Sequence, residues 1–420
     1  MNKIFLAAAL LVPAAAFANG YHLPISSPRD LAFGGSGTVA IQNSASAVYA
    51  NPAALAGLDG LNLAGSLELI TLSATWKDPT PGSTQGDVSS IPKAAFPPAA
   101  YISYGDRLGG MPVAIGAGFT VAGGGLFYWP TNWPGRAQVV TVDRKTLATD
   151  VAVAIQPIDM LKIGIGGTYI RTQEKLQQIL PFGDQAGDVQ LGTAGGAFTF
   201  HVGGELQPLP GWKIGVDYRH KADQTLTGDA HFGHIPDTFA NQLRDQGASH
   251  DITWPNVLQG GTSYQVTPDL LVNVGVLFVR WIVYKEDRFV GDQGLVVQVP
   301  HNFTNGFGVS VGAEYMLPMV KGLALRAGFE RVQAPANTDT EHPAIPDSNS
   351  TALTLGVGYA PSPQLDVSVG YKLAILDTIT TTGTEVFPGT YNTTAHFISA
   401  GISYRFGGSS PSTDTRVASK

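Results

Sequence analysis

The sequence contains no cysteine. This absence excludes a disulfide scaffold, thiolate metal ligands and a cysteine nucleophile. It also suits an exported chain that must stay unfolded during transit.

Long apolar runs are missing beyond the first residues. No later segment approaches the roughly 18–20 consecutive apolar residues of a membrane-spanning helix. Apolar residues nevertheless make up 44% of the chain and charged residues only 14%, so the apolar residues occur in short pieces. The 51 glycines disfavour helix as the dominant element. At 420 residues the chain could form several domains, but no linker divides it after Gly60, and we expect one large unit.

Signals for catalysis are few. The sequence has no Gly-x-Ser-x-Gly elbow and no phosphate-binding loop. His231 and His234 have the spacing of metal ligands, but no third ligand is evident. The net charge of −7 leaves no general basic footprint for nucleic acid. We therefore expect no catalytic residue, metal, cofactor or nucleic-acid partner. A lipase whose triad assembles only in space is the remaining enzyme alternative.

The first 18 residues have the features of a signal peptide. Lys3 supplies a positive start, Ile4 to Val12 form a short apolar core, and Ala16-Phe17-Ala18 is a small-x-small cleavage site. Because the apolar run is short and Pro13 interrupts it, a membrane anchor is disfavoured. The mature chain is predicted to begin at Asn19.

From about Leu61 to Phe406 the sequence alternates apolar with small or polar residues in stretches of roughly ten. Leu365, Val367 and Val369, for example, alternate with Asp366 and Ser368. Successive stretches end alternately in a short Pro/Gly turn and in a long polar loop. A closed membrane barrel needs this pattern, because its outer face meets lipid and its lumen is more polar. A soluble β-sandwich also alternates, but it has no reason to sort its turns into two classes.

We therefore predict an all-β fold, an antiparallel transmembrane β-barrel over residues 61–406 with about 14 strands, an even number as expected for single-chain barrels. The short turns are expected in the periplasm and the long loops outside. The predicted strands are 61–76, 99–104, 112–121, 149–155, 162–172, 194–206, 213–226, 257–266, 270–283, 307–316, 323–332, 352–359, 365–375 and 395–406.

Residues 19–60, here called the hatch, show no clear period. A disordered periplasmic arm and a plug inside the barrel are the two alternatives. The plug is favoured because residues such as Leu31, Phe33, Val48 and Leu55 are too apolar for an ordinary disordered arm.

An ordered set of sequence blocks resembles FadL-type outer-membrane transporters, a family that includes long-chain fatty acid transporters and an aromatic-hydrocarbon branch. The blocks span essentially the whole mature chain and occur in the family's order. They include Ser27-Pro28-Arg29-Asp30-Leu31-Ala32-Phe33-Gly34-Gly35-Ser36, Asn51-Pro52-Ala53, Trp133-Pro134-Gly135-Arg136, Asp217-Tyr218-Arg219-His220-Lys221-Ala222-Asp223, Trp254-Pro255-Asn256-Val257 and Ala395-His396-Phe397.

The resemblance implies a 14-stranded barrel, plugged by the hatch, in the outer membrane of a Gram-negative bacterium. It implies energy-independent uptake of a hydrophobic small molecule, with long-chain fatty acids as the first substrate and aromatic hydrocarbons as the alternative. It also implies a monomer that contacts outer-membrane lipid. Two departures are Gln42-Asn43-Ser44, where the family often has an acidic pair, and a polar tail over residues 407–420.

In this family an inward kink of the third strand opens a lateral exit. Glycine in a strand often marks a bulge or bend. The residues here that could supply the kink are Gly116, Gly118, Gly123, Gly124 and Gly125. Small residues that give room to the plug are an equally good explanation for any one of them.

The hatch motif Asn51-Pro52-Ala53 and two sets of loop and strand residues are the other candidates. Phe127, Trp129, Phe239 and Leu243 are candidates for capturing an apolar ligand. Anchoring at the membrane interface is the alternative, above all for Trp129. Arg136, Arg326 and Lys372 are candidates for pairing with a fatty acid carboxylate. Each could instead pair with an inward acid, since isolated buried charges are costly.

The rival functions are a general diffusion porin and a purely structural barrel. A porin holds a water-filled channel and needs no N-terminal plug. The apolar hatch argues against the porin.

Overall fold

The computed structural model describes residues 20, 22–23, 25–336, 342–344, 346–381 and 387–406. The predicted signal peptide, 1–18, and the predicted tail, 407–420, lie outside the described residues. In the part of the chain that is described, no helix is both long and apolar enough to cross a membrane.

Antiparallel strands dominate the structure and form one sheet of 21 strands. Their bounds are β1 Gly60–Lys77, β2 Val88–Ser89, β3 Lys93–Ala95, β4 Pro98–Leu108, β5 Met111–Tyr128, β6 Thr141–Ile158, β7 Leu161–Phe182, β8 Gln185–Leu209, β9 Trp212–Arg219, β10 Ala222–Gly233, β11 Gln246–Trp254, β12 Val257–Thr267, β13 Leu270–Val279, β14 Glu286–Gly291, β15 Val296–Pro300, β16 Gly306–Met316, β17 Leu323–Gln333, β18 Ser350–Ser362, β19 Leu365–Leu376, β20 Ile379–Thr381 and β21 Gly389–Phe406.

The sheet closes on itself, since β1 pairs with β4 on one side and with β21 on the other. Fourteen strands make the wall, with β9 and β10 as two parts of one strand and β11 and β12 as two parts of the next. The short strands β2, β3, β14, β15 and β20 extend the loops. The predicted fold, a barrel of 14 antiparallel strands plugged by a small hatch, is confirmed.

Two wall strands are interrupted at the same level. The predicted strand 213–226 is split between Arg219 and Ala222, and its neighbour is split where Pro255 has no N–H to donate to the ladder. Strand β11 was not predicted and falls within an expected loop. Its outward residues, such as Ser249 and Asp251, are polar, so the apolar alternation that indicates a lipid-facing strand is missing.

The wall has an apolar outer face. On β18, Leu353 and Leu355 are each 61% exposed, whereas Thr354 between them points into the lumen and is 2% exposed. This alternation repeats around the barrel. An apolar outer band is the surface that a bilayer covers.

The described part of the hatch lies inside the barrel. It forms two short α-helices and two 3₁₀ helices, α1 Pro28–Ala32, 3₁₀ Thr38–Ala40, α2 Ala47–Ala50 and 3₁₀ Pro52–Gly57. A further 3₁₀ helix, Trp281–Val283, follows β13. The hatch is almost fully buried, with Leu31, Phe33, Val48 and Leu55 at 0% exposure. The hatch therefore supplies the centre of the apolar core that the barrel encloses.

Candidate functional site

The hatch rests on glycines of the barrel wall. A Cβ on Gly275 would lie 2.8 Å from the Cα of Gly37, and a Cβ on Gly312 would lie 2.6 Å from the Phe33 ring. The hatch therefore packs on the wall strands without intervening wall side chains. These hatch-facing glycines lie on most of the wall strands: Gly105, Gly116, Gly164, Gly203, Gly215, Gly261, Gly275, Gly312, Gly328, Gly356, Gly370 and Gly401.

The hatch motif joins the hatch to the wall. Asn51 is 0% exposed and adopts an extended backbone, from which its Oδ1 accepts a hydrogen bond of 3.2 Å from the Ala53 N–H. This bond caps the 3₁₀ helix that Pro52 begins. The Asn51 Nδ2 donates to the carbonyls of Val39, at 3.0 Å, and of Gly204 in β8, at 3.2 Å. One side chain therefore holds two hatch segments and the wall together.

Arg219 of β9 makes a second connection. Its guanidinium lies 4.3 Å from the centroid of the Tyr49 ring and donates to the Tyr49 carbonyl at 2.8 Å. The same group donates to Asp150 at 3.1 Å and to Thr168 at 2.7 Å. This buried charge is thus paired and hydrogen-bonded, as burial requires.

On the side of the hatch that faces the short strand turns lies a cavity of about 730 Å³. Arg29 of α1 and Arg326 of β17 both contact Glu314 there, at 2.8 and 2.6 Å. Arg326 also donates to Ser368 at 2.9 Å. Arg326, one of the three candidates for pairing with a ligand carboxylate, is therefore already bound to an acid of the wall.

On the opposite side of the hatch lies a cavity of about 40 Å³, here called the upper cavity. Its lining is almost entirely apolar and includes Leu23 and Ile25 of the hatch and Phe397 of β21. The charged lining residues are Lys372 and Glu330, which form an ion pair.

The ion pair of the upper cavity also holds the hatch. Lys372 donates to the Gly34 carbonyl at 3.2 Å, and Glu330 accepts from the Ser36 N–H at 3.0 Å. Gly34 has a φ of +103°, a conformation that favours glycine. Loss of this ion pair would therefore also remove hydrogen bonds to the hatch backbone.

Arg136, the third candidate cation, lies in the loop after β5. It is half-buried, and its guanidinium donates to the Trp133 carbonyl at 3.5 Å. It does not line the upper cavity. Of the three candidates, the structure brings only Lys372 to that cavity.

The kink candidates lie on β5, which separates from β4 partway along. The β4–β5 ladder ends at Ala100 opposite Phe119, whereas β5 stays paired with β6 as far as Tyr128. A bulge falls between Val121 and Gly123, within the pairing to β6. All four residues from 122 to 125 are buried, so this part of the strand is covered on both faces.

The hatch covers the edge of β5 that β4 leaves. His22 forms an isolated antiparallel bridge with Gly123, and the Leu23 N–H donates to the Ala122 carbonyl at 2.9 Å. Gly116 and Gly118 lie lower on the strand, where a Cβ would meet Val48 and Tyr101. Gly124 lies against the Arg144 carbonyl. A kink at Gly123, Gly124 and Gly125 stays a prediction, now with a bulge beside it.

The four ligand-capture candidates lie in one apolar cluster. Phe127 and Trp129 are each 1% exposed and Leu243 is 6% exposed, while half-buried Phe239 stacks on Phe182 at 5.0 Å. The cluster continues to Leu23, Ile25 and Leu31 of the hatch. Residues 236–243 form hydrogen-bonded turns rather than a continuous helix. These side chains are thus part of the covered interior, and their role in capture stays a prediction.

The interior also contains a buried chain of charged groups that the sequence analysis did not predict. Glu174 faces Arg144 at 2.7 Å and His250 at 3.2 Å, and Asp287 then joins His250 to His301, each at 2.8 Å. Three of these residues come from separate wall strands, whereas Asp287 lies on the short strand β14 and His301 in a loop, so no sequence motif could reveal them. The available sequence signal for these residues was their inward position in the period-two alternation of the strands. Among the described residues, no cluster has the geometry to hold a metal ion.

Comparison with known proteins supplies the family. The family model for outer membrane protein transport proteins (OMPP1/FadL/TodX) matches residues 9–406. Outer membrane protein P1 of Haemophilus influenzae is 29% identical over 195 residues, which is 44% of this chain. The match covers 40% of the length of that relative.

Two solved structures share the fold. A FadL homologue of Pseudomonas aeruginosa has a TM-score of 0.82 at 18% identity, and the match covers 92% of this chain and 100% of that chain. The toluene transporter TodX of P. putida has a TM-score of 0.71 at 17% identity, with coverage of 91% and 98%. The protein described here belongs to the OMPP1/FadL/TodX family and resides in the Gram-negative outer membrane, as the sequence blocks predicted.

Proposed function

We propose that this protein takes up hydrophobic small molecules passively and that its substrates are long-chain fatty acids. The observation that carries the proposal is the upper cavity, whose surface is almost entirely apolar and whose charged lining residues are the Lys372–Glu330 ion pair. A fatty acid needs an apolar site for its chain and a cation for its carboxylate. Family membership supports transport as the activity.

At about 40 Å³, the upper cavity is too small for a fatty acid chain, so a ligand must displace side chains. Leu23 and Ile25 of the hatch line the cavity and belong to the apolar cluster that continues to Phe127 and Trp129. We infer that the ligand enters along this cluster and replaces the contacts of these hatch residues with its own apolar chain.

The proposed exit lies where β5 leaves β4. Release of His22 and Leu23 from β5 would uncover the edge beyond the Ala100–Phe119 pair. The rest of the hatch sits on the hatch-facing glycines and can stay in place. A gap in the wall would let an apolar ligand pass into the membrane rather than into water.

Aromatic hydrocarbon uptake is the second candidate. It is favoured by the stacked pair Trp129 and Trp133, with ring centroids 4.4 Å apart in the apolar cluster. A hydrocarbon needs no cation. In that case the role of Lys372 is to pair with Glu330. One solved structure with this fold is a toluene transporter.

Binding to the detergent-refolded protein tests the proposal. We expect oleate to bind saturably and to bind at least tenfold more weakly to Lys372→Gln, because a charge-assisted hydrogen bond contributes about 1.5–3 kcal/mol. The double variant Lys372→Gln/Glu330→Gln removes the cation without leaving a buried carboxylate unpaired. It should show the same loss.

Arg136→Gln is the matched control, since Arg136 lies away from the upper cavity, and its oleate affinity should change less than about twofold. Toluene binding without oleate binding would assign the protein to hydrocarbon uptake. Free permeation of small sugars with no binding of either ligand would contradict both proposals and favour a porin.

A further inference from the structure

Three cations lie together on the outer surface of the barrel. Lys145 of β6 and Arg171 and Lys175 of β7 alternate with inward residues such as Arg144 and Glu174. Period-two alternation therefore places all three on the outward face of the wall. Their side chains are exposed, and that of Lys145 is 64% exposed. This set is called the basic patch.

Strand register makes the three cations neighbours. Lys145 lies opposite Gln173, so Arg171 and Lys175 are its two diagonal partners on β7. Diagonal neighbours across an antiparallel pair are about 7–8 Å apart. On the far side of β7, Lys175 lies opposite Gly192, where an added Cβ would meet nothing within 4 Å. The surface is therefore open to a ligand.

The charge of the basic patch is not balanced by the protein. Asp143 is the acid within the patch, and it pairs with Lys145 at 3.1 Å. Arg171 and Lys175 make no ion pair or side-chain hydrogen bond with the residues that the structure describes. The three cations and Asp143 together carry a charge of +2 on a chain whose net charge is −7, and the next acid in this row, Asp229 of β10, lies two strands from Lys175, beyond Gly192. Arg331 on β17, by contrast, is bound to Asp377 by both guanidinium nitrogens.

An apolar surface adjoins the basic patch. Leu147 lies opposite Arg171, and Tyr169 packs against Phe198 with ring centroids 4.9 Å apart. Phe198 is 82% exposed, which is high even for a lipid-facing side chain of this barrel. Tyr and Trp rings mark the interface between hydrocarbon and water. The cations lie beyond this ring pair, toward the loops, where lipid headgroups lie.

We propose that the basic patch binds the phosphate groups of an anionic lipid in the outer leaflet, with the acyl chains of that lipid lying on Leu147 and Phe198. Arg and Lys pair with phosphate oxygens, and clustered cations at a membrane surface each strengthen binding to anionic lipid. A free inorganic anion would use the cations alone and would make no contact with Leu147 or Phe198. The combination of unpaired cations and an apolar surface fits a lipid.

Titration of the refolded full-length protein with diphosphorylated lipid A, read by native mass spectrometry, tests the proposal. Each surface cation is expected to contribute about fivefold to affinity, so Lys145→Gln/Arg171→Gln/Lys175→Gln should weaken binding by about a hundredfold. The control Arg331→Gln removes a cation already neutralised by Asp377 and should change binding less than about twofold. Higher salt should weaken binding to the wild type more than to the triple variant.

Three results would overturn the proposal. They are equal affinity of the triple variant and the wild type, equal affinity for lipid A from which both phosphates have been removed, and full competition by inorganic phosphate. Because the three side chains point outward and pack against little, the triple variant should fold. An unchanged unfolding temperature would verify this, and this control does not depend on the proposed uptake function.

Discussion

Gly37 in the hatch lies directly on Gly275 of β13, with the Gly37 Cα 2.8 Å from the place that a Cβ on Gly275 would take. Gly37 has a φ of +64°, so both partners of this contact favour glycine for different reasons. The hatch is therefore held by close backbone packing as well as by ion pairs. This arrangement predicts that single methyl groups at the contact will disturb the plug.

Gly164→Ala should open the barrel. A Cβ at Gly164 would lie 2.5 Å from the Ala53 N, and overpacking of this kind typically costs about 1–3 kcal/mol. We expect a lower unfolding temperature and a higher conductance in planar bilayers. Gly167→Ala on the same strand is the control, because its Cβ would meet nothing within 4 Å. Equal conductance of the two variants would show that the contact does not hold the plug.

Asn51→Ala should destabilise the hatch by about 3 kcal/mol. The change removes a helix cap, worth about 1 kcal/mol, and two buried hydrogen bonds to Val39 and Gly204. Protease cleavage within the hatch should accelerate, and chemical unfolding should shift to lower denaturant concentration. Asn43→Ala, at an exposed hatch position, should change neither. A fully protected Asn51→Ala hatch would contradict this role.

A cross-link between the hatch and β5 should block uptake. His22 and Gly123 are bridge partners, a geometry close to that of a disulfide, and the chain has no other cysteine to compete. His22→Cys/Gly123→Cys should lose fatty acid uptake when oxidised and regain it when reduced. Leu67→Cys/Ala400→Cys, which joins β1 to β21 on the outer face, should transport in both states. Uptake by the oxidised hatch variant would exclude the proposed exit.

Acid should destabilise the protein through protonation of His342. Burial, reinforced by the charge of His301, lowers the pKa of His342 from 6.5 to about 3. Its Nε2 contacts the Gln138 Oε1 at 2.9 Å and its Nδ1 accepts from the Ala344 N–H at 3.1 Å, which fits a neutral ring. Between pH 6.5 and about 3 the unfolded chain binds more protons at this residue, so stability falls as pH falls.

The expected slope for one such proton is about 1.4 kcal/mol per pH unit. Guanidinium unfolding of the detergent-refolded protein across this pH range measures it. His342→Gln should have a shallower slope than the wild type. His234→Gln is the control, because the His234 side chain is 84% exposed. Identical slopes for the wild type and His342→Gln would rule out a contribution from this ring.

The alternation of residues such as Leu365 and Asp366 was sufficient to predict the barrel, since one face of every membrane strand must be apolar. It gave about 14 strands, while the sequence blocks added the family and the location. Strand β11 was missed because its outward residues are polar. The sequence also identified the hatch, because its apolar residues required burial.

Only the tertiary structure decided how the interior is arranged. In the folded protein Lys372 lies beside Glu330 at the upper cavity, whereas Arg326 pairs with Glu314 away from it. The linear spacing of these residues does not show which of the two cations lies at the cavity. Only the tertiary structure shows which glycines face the hatch. The presence of a glycine in the sequence does not reveal what packs against it. Contacts between residues hundreds of positions apart depend on barrel closure, and closure depends on strand register around the whole wall.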